Sequence, residues 1–286
     1  MVFQSHHAFK ALALTAFALF FLKLHTGGTV TKYVNPSYAL LSLWAAYAFF
    51  FFGFIQLFRL WRRKNKPSLP SHSACCQPSP TKPSGGRVIS YCILIFPLLT
   101  GFFLPPQTLN ASIAAKKGAG LFMQQEAAIS DQLSPDHQEL VVDRKEIQQT
   151  EYNRRMSQLE KKRTINMTHD VFEPYYGRIQ ANPQKYVGRM IKMSGFVFKE
   201  NKLPDNQLVL SRFLITHCVA DASHIGFLTE FDKAPGIKQD TWLEINGTIA
   251  LTSYNGVEMP VVQITSWKEI TEPVEPYVYP LYIKIA

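Results

Sequence analysis

Hydrophobic positions are distributed along this chain in two different ways. Three uninterrupted apolar runs, near 8–24, 38–58 and 88–104, occupy its first part, and period-two alternation begins only at Tyr186. The second run, YALLSLWAAYAFFFFGFIQLF, has 21 residues and no charge, about what a bilayer core of ~30 Å requires. Tyr38 at one end and Trp61 just past the other suit interfacial anchoring. The first run carries Lys10 and Lys23 near its ends. His25-Thr26-Gly27-Gly28 after it is a poor cleavage site, so it reads as a retained membrane helix rather than a signal peptide. The third run holds Pro97 and Gly101, which membrane helices tolerate better than soluble ones. The pattern therefore predicts three transmembrane helices in a region 1–106.

A polar helical connector is expected over 107–165. Its first part, LPPQTLNASIAAKKGAG, should be extended and then turned. Its last part, 143–163, reads as a charged helix with an apolar stripe of Ile147, Tyr152, Met156 and Leu159. From 166 to 286 the pattern predicts a short helix, Val171 to Ala181, and five strands. The strands are Met190–Lys199, Gln207–Val219, Ser223–Phe231, Thr241–Leu251 and Pro260–Ile270. Tyr254-Asn255-Gly256 marks a hairpin between the last two. Gly195, isolated inside the first strand, marks a bend. Gly247 and Trp242 read as structural too, with Trp242 partly buried at the barrel end and not in a ligand site. Five short strands with a bent first one suggest a small C-terminal OB-like β-barrel. A sandwich edge or SH3-like barrel would give much the same pattern.

Charge adds an orientation. The first 125 residues contain no Asp or Glu and 12 Lys and Arg, so the net +9 of the chain arises there and the remainder is slightly acidic. The loop 59–87 holds Arg59, Arg62, Arg63, Lys64, Lys66, Lys82 and Arg87, whereas the stretch between the first two runs offers only Lys32. By the positive-inside rule the basic loop is cytoplasmic. The expected localisation is a multi-pass protein of the plasma (inner) membrane, its C-terminal domain extracytoplasmic. The Pro- and Ser-rich sequence of that loop reads as a tether. A slightly acidic domain is also a poor nucleic-acid binder.

Candidate chemistry is sparse. Cys75 and Cys76 fall in the basic loop with His72, where palmitoylation or plain exposure suits vicinal thiols better than tetrahedral metal binding. Cys92 lies in the third run, leaving Cys218 alone in the presumed external domain, without a disulfide partner there. The Asn110, Asn166 and Asn246 sequons are explained by chance. No nucleophile elbow, phosphate-binding glycine loop or zinc-protease helix occurs, so no catalytic residues are assigned.

If the domain has a chemical site, it lies around His217, Cys218, Asp221 and His224, the ligand types that zinc or copper prefers. Adjacent His217 and Cys218 point to opposite faces of a regular strand, so shared ligation requires the strand to end or bulge there. The competing reading is structural. Cys218 would be a small buried thiol on the face of Leu210 and Leu214, Asp221 would cap the turn, and the histidines would be exposed.

A resemblance follows from an ordered set of segments: TKYVNPSYALL, LPPQTLNASIAAKKG, NPQKYVGRMIKMSGFVF, SRFLITHCVADASHIGF, DTWLEINGTI and EPVEPYVYP. Together they resemble the YcgQ-like family of bacterial membrane proteins, collinearly over nearly the whole chain apart from the basic loop and the charged helix. The resemblance implies an OB-like soluble half and a multi-span membrane permease as partner. Family members often carry Cys-Cys where this chain has His217-Cys218. The function expected is therefore a non-enzymatic accessory subunit of a permease complex in the lipid bilayer. The alternative is an extracytoplasmic metal-binding or metal-delivery protein.

Overall fold

The computed structural model describes residues 5–64, 85–116, 147–200, 203–254, 256–281 and 283–284. The chain divides into two compact units, Met1–Gln107 and Thr108–Ala286. Most of the basic loop, with Cys75 and Cys76, lies outside the described residues, as do the middle of the connector and the start of the charged helix.

The first unit contains helices α1 (Ser5–Thr26), α2 (Ala39–Lys64) and α3 (Gly85–Phe103). Asn35 is buried, and its side chain accepts the Ser37 N–H at 3.0 Å. With Pro36 next to it, this fixes the turn that leads into α2. Two stretches, Ala8–Thr26 and Pro36–Arg59, are long and apolar enough to cross a membrane. The third run is also helical, but its apolar part, Ile89–Phe103, is shorter than those two stretches. The three expected spans thus become two candidate spans and one shorter apolar helix.

Helix α1 packs against α3 through aromatic side chains and against α2 through small residues. Ala11, Ala18 and Ala46 are buried, and a Cβ added at Gly53 would meet Thr15 Oγ1 at 3.0 Å. Helices in lipid gain no hydrophobic drive toward one another, so close backbone approach must hold them. Large apolar side chains such as Leu12, Trp44, Phe51, Phe54, Ile93 and Phe96 are exposed instead. An apolar exterior of this kind suits membrane association.

The second unit is a mixed β-sheet domain with three short α-helices among the described residues. In order it comprises α4 (Ala111–Lys116), β1 (Ile147–Gln148), α5 (Gln149–Glu160), β2 (Thr164–Met167) and α6 (Phe172–Ala181). There follow β3 (Met190–Phe198), β4 (Gln207–Leu214), β5 (Ser223–Glu230), β6 (Trp242–Tyr254) and β7 (Val257–Ile270), then β8 (Tyr277–Val278) and β9 (Ile283–Lys284). All five expected strands are present. The second ends at Leu214, five residues early, because Thr216 to Asp221 fold into a capped turn described below. The main sheet gains two strands that the pattern did not announce, β2 beside β3 and β8 beside β4, both parallel. Among the central strands, β3 pairs with β6, β6 with β7, β7 with β5, β5 with β4, and β4 again with β3. Only β5 and β7 run parallel in that series.

Gly195 permits the last of these pairings. Strand β3 pairs with β2 through residues 190–193 and with β4 through residues 196–198. A Cβ at Gly195 would stand 2.5 Å from the Ser211 carbonyl oxygen, so only glycine lets β4 approach so closely. Gly247 falls at the irregularity between β6 and β7, again against backbone.

Strands β4 and β5 are buried on both faces. One face joins Leu208, Leu210, Ile225 and Phe227 to Met156 of α5 and Phe172, Tyr175 and Ile179 of α6. The other joins Val209, Phe213 and Leu228 to Ala111 and Ala114 of α4 and to Tyr277. Within the segment expected to be extended and then turned, Ala111–Lys116 is thus a helix in the domain core. The Tyr277 hydroxyl donor-acceptor group takes the Leu109 N–H at 3.0 Å, and Asp240 Oδ1 takes that of Ala111 at 2.5 Å.

Candidate functional site

The residues singled out for metal binding sit around a one-turn 3-10 helix, Val219–Asp221, between β4 and β5. Asp221 organises the turn. Its Oδ1 accepts the Thr216 N–H at 3.2 Å, and its Oδ2 accepts the N–H groups of His217 at 2.8 Å and Cys218 at 3.3 Å. The Cys218 sulfur accepts the Asp221 N–H in return, a reciprocal capping box. His217 Nδ1 lies 3.0 Å from Asp221 Oδ2, on an exposed side chain.

His224 has a different environment. It is 5% exposed, with the Phe198 ring edge-on at 5.3 Å and the Phe213 ring at 6.5 Å. Burial pushes its pKa down to about 4, so the imidazole is neutral at ordinary pH. The structure thus brings His217, Cys218 and Asp221 into one turn and places His224 in an aromatic setting. Among the described residues, no three His, Cys, Asp or Glu side chains are arranged to hold a metal ion. Two parts of the structural expectation need correction. Cys218 is partly exposed, because β4 stops before reaching it, and His224 is buried, because both faces of β5 are covered.

A second constellation went unnoticed in the sequence. A cleft of about 570 Å³ opens where β3 parts from β2 and joins β4, lined by Asn166, Thr168, His169, Ser194, Arg212, Glu275 and their neighbours. Ser194 and Gly195 lie between the two pairings of β3, so that edge has no ladder partner there. Arg212 fills the fork. Its Nε donates to the Ser194 carbonyl at 2.9 Å, Nη2 to Ser194 Oγ at 2.8 Å and Nη1 to the Glu275 carbonyl at 2.8 Å. The guanidinium also stacks on Trp242, 5.1 Å from the ring centre. Arg212 is 5% exposed, and burial lowers its pKa to about 10 while Glu275 opposes the shift. It remains a cation at neutral pH. The clue was a gap in a series: Leu208, Leu210 and Leu214 share one strand face, and Arg212 occupies the missing place.

Carboxylates near the cleft are already paired. Glu244 meets Lys268 at 2.9 Å and Lys192 at 3.4 Å, and the Lys268 hydrogen bond holds its pKa below the usual range. Glu275 Oε2 lies 3.2 Å from His169 Nε2.

Comparison with known proteins covers both units. Residues 9–120 match the DUF1980 N-terminal domain and residues 142–280 the DUF1980 C-terminal domain. The chain is 34% identical over 287 residues to UPF0703 protein YcgQ of Bacillus subtilis, covering 95% of this chain and 99% of that one. It is 23% identical over 270 residues to a Streptococcus mutans protein named "Putative two-component membrane permease complex subunit", covering 91% of this chain and 94% of that one.

Proposed function

Because the chain belongs to the DUF1980/UPF0703 YcgQ-like family, we propose that it is a non-enzymatic accessory subunit of a membrane permease complex. The observation that carries this reading is the end-to-end similarity to the Streptococcus mutans protein, whose name is "Putative two-component membrane permease complex subunit". The apolar helices of the first unit support it by suiting a membrane partner. In this reading the second unit is an OB-like barrel that serves interaction or gating. The cycle of pairings β3-β6-β7-β5-β4-β3, with β3 shared across its bend at Gly195, supports that architecture.

The proposed topology has three crossings in the inner membrane, with α3 completing the third and the β unit outside. Crossing parity makes α3 decisive, since two spans would return the chain to the cytoplasmic side. The warrant is the basic loop. In intact cells an impermeant thiol reagent should leave Cys75 and Cys76 unlabelled, and ready labelling would invert the topology. The subunit reading is tested by native electrophoresis of membranes solubilised in mild detergent. The chain should run in a discrete complex far above its own 32.5 kDa. Migration as a monomer-detergent particle would contradict it.

A further inference from the structure

We propose that the cleft at the β3–β4 fork binds a small ligand through a carboxylate group held by Arg212, with a short aliphatic body lying against the cleft wall. Arginine has five N–H donors, and three of those on Arg212 go to the Ser194 carbonyl, Ser194 Oγ and the Glu275 carbonyl. All three acceptors are uncharged. Among the described residues no acceptor takes the other two, one on Nη1 and one on Nη2. Among the described residues no carboxylate forms a salt bridge with the guanidinium: Glu275 acts on it electrostatically while its Oε2 meets His169, and Glu244 meets Lys192 and Lys268.

A buried cation without a contacting counter-charge is costly, and an anion that supplies one gains correspondingly. Donors on the two terminal nitrogens suit the planar, two-oxygen geometry of a carboxylate. Ser194 and Trp242 hold the guanidinium plane in place, which reduces the ordering cost of binding. The volume of about 570 Å³ lies within the usual range for small-molecule sites. Apolar surface from Pro273 and Val274 accounts for the aliphatic body, with Met167 and Met193 buried in the core behind it. With Arg212 and Lys192 opposed by paired acids, the wall favours a monoanion over a multiply charged phosphate. This inference does not rest on the permease reading: a soluble or membrane-bound protein with this cleft would bind the same ligand.

The test is calorimetric titration of the detergent-solubilised full chain with valerate, and with valeramide and inorganic phosphate in parallel. Valerate should bind saturably, with valeramide and phosphate at least tenfold weaker. Val274 is 98% exposed at the cleft wall, so its replacement carries no folding burden. Val274→Asp should weaken valerate binding and Val274→Lys strengthen it, each by about two- to fivefold, the scale of an exposed charge pair. Arg212→Lys keeps the charge but loses the fork, and should cost tenfold or more. Equal binding of valeramide, tighter binding of phosphate, or no response of valerate to the two Val274 variants would overturn the proposal. So would the absence of saturable valerate binding.

Discussion

Acidification should destabilise the β unit through one side chain, His224. Its imidazole is enclosed by Phe198 and Phe213 and burial lowers its pKa from 6.5 to about 4. Between those values the unfolded chain binds a proton that the folded chain refuses, so stability rises with pH. The contribution is fully present above pH 6.5 and is lost as pH falls toward 4. From pH 7.5 to 5.0 the loss is about 2 kcal/mol. For a unit of this size that corresponds to roughly 4–8 °C in Tm. The assay is thermal unfolding of a Thr108–Ala286 fragment at both pH values, beside the His224→Leu variant. The pair is needed because other groups titrate as well. Glu173, whose carboxyl burial pushes up, contributes with the opposite sign and is common to both proteins. Whatever His224→Leu does to stability at pH 7.5, its loss on acidification should be smaller than that of the parent by about 2 kcal/mol. Equal losses would show that His224 ionises in the folded state as readily as in water, and would refute its burial as the cause.

Gly195→Val should lower the Tm of the same fragment, because a Cβ there meets the Ser211 carbonyl oxygen at 2.5 Å; overpacking of this kind costs about 1–3 kcal/mol or more. An unchanged Tm in calorimetry would remove the account of the β3 bend. Cys218→Ser should leave stability within about 0.5 kcal/mol, since serine caps a turn at least as well as cysteine. Asp221→Ala should cost about 1–2 kcal/mol by leaving the N–H groups of residues 216–218 without their carboxylate, and denaturant titration measures both.

What the sequence disclosed follows from which signals are local. The strands β3 to β7 and the Tyr254–Gly256 hairpin are long enough for period-two alternation to stand out, and Gly195 announced the bend. Strands β2 and β8 have four and two residues and exist through the partners beside them, so no window of sequence contains them. Helix α4 was hidden for a similar reason. Its six residues are too few to be stable alone, and burial of Ala111 and Ala114 on the β unit holds it. The second face of β5 is buried as well, with His224 on it beside Phe198 and Phe213. The capping role of Asp221 was legible because Asp in a short loop bonds nearby N–H groups. Arg212 broke an apolar series in plain view, but its meaning depended on Ser194 and Glu275, which are 18 and 63 residues away.

The central proposal, that this chain is an accessory subunit of a membrane permease complex, is tested most directly by crosslinking in native membranes followed by purification and quantitative mass spectrometry. The account predicts one multi-span membrane protein recovered in fixed stoichiometry, with crosslinks reaching both units of this chain. Recovery of this chain alone, or with a varying set of substoichiometric membrane proteins, would contradict it.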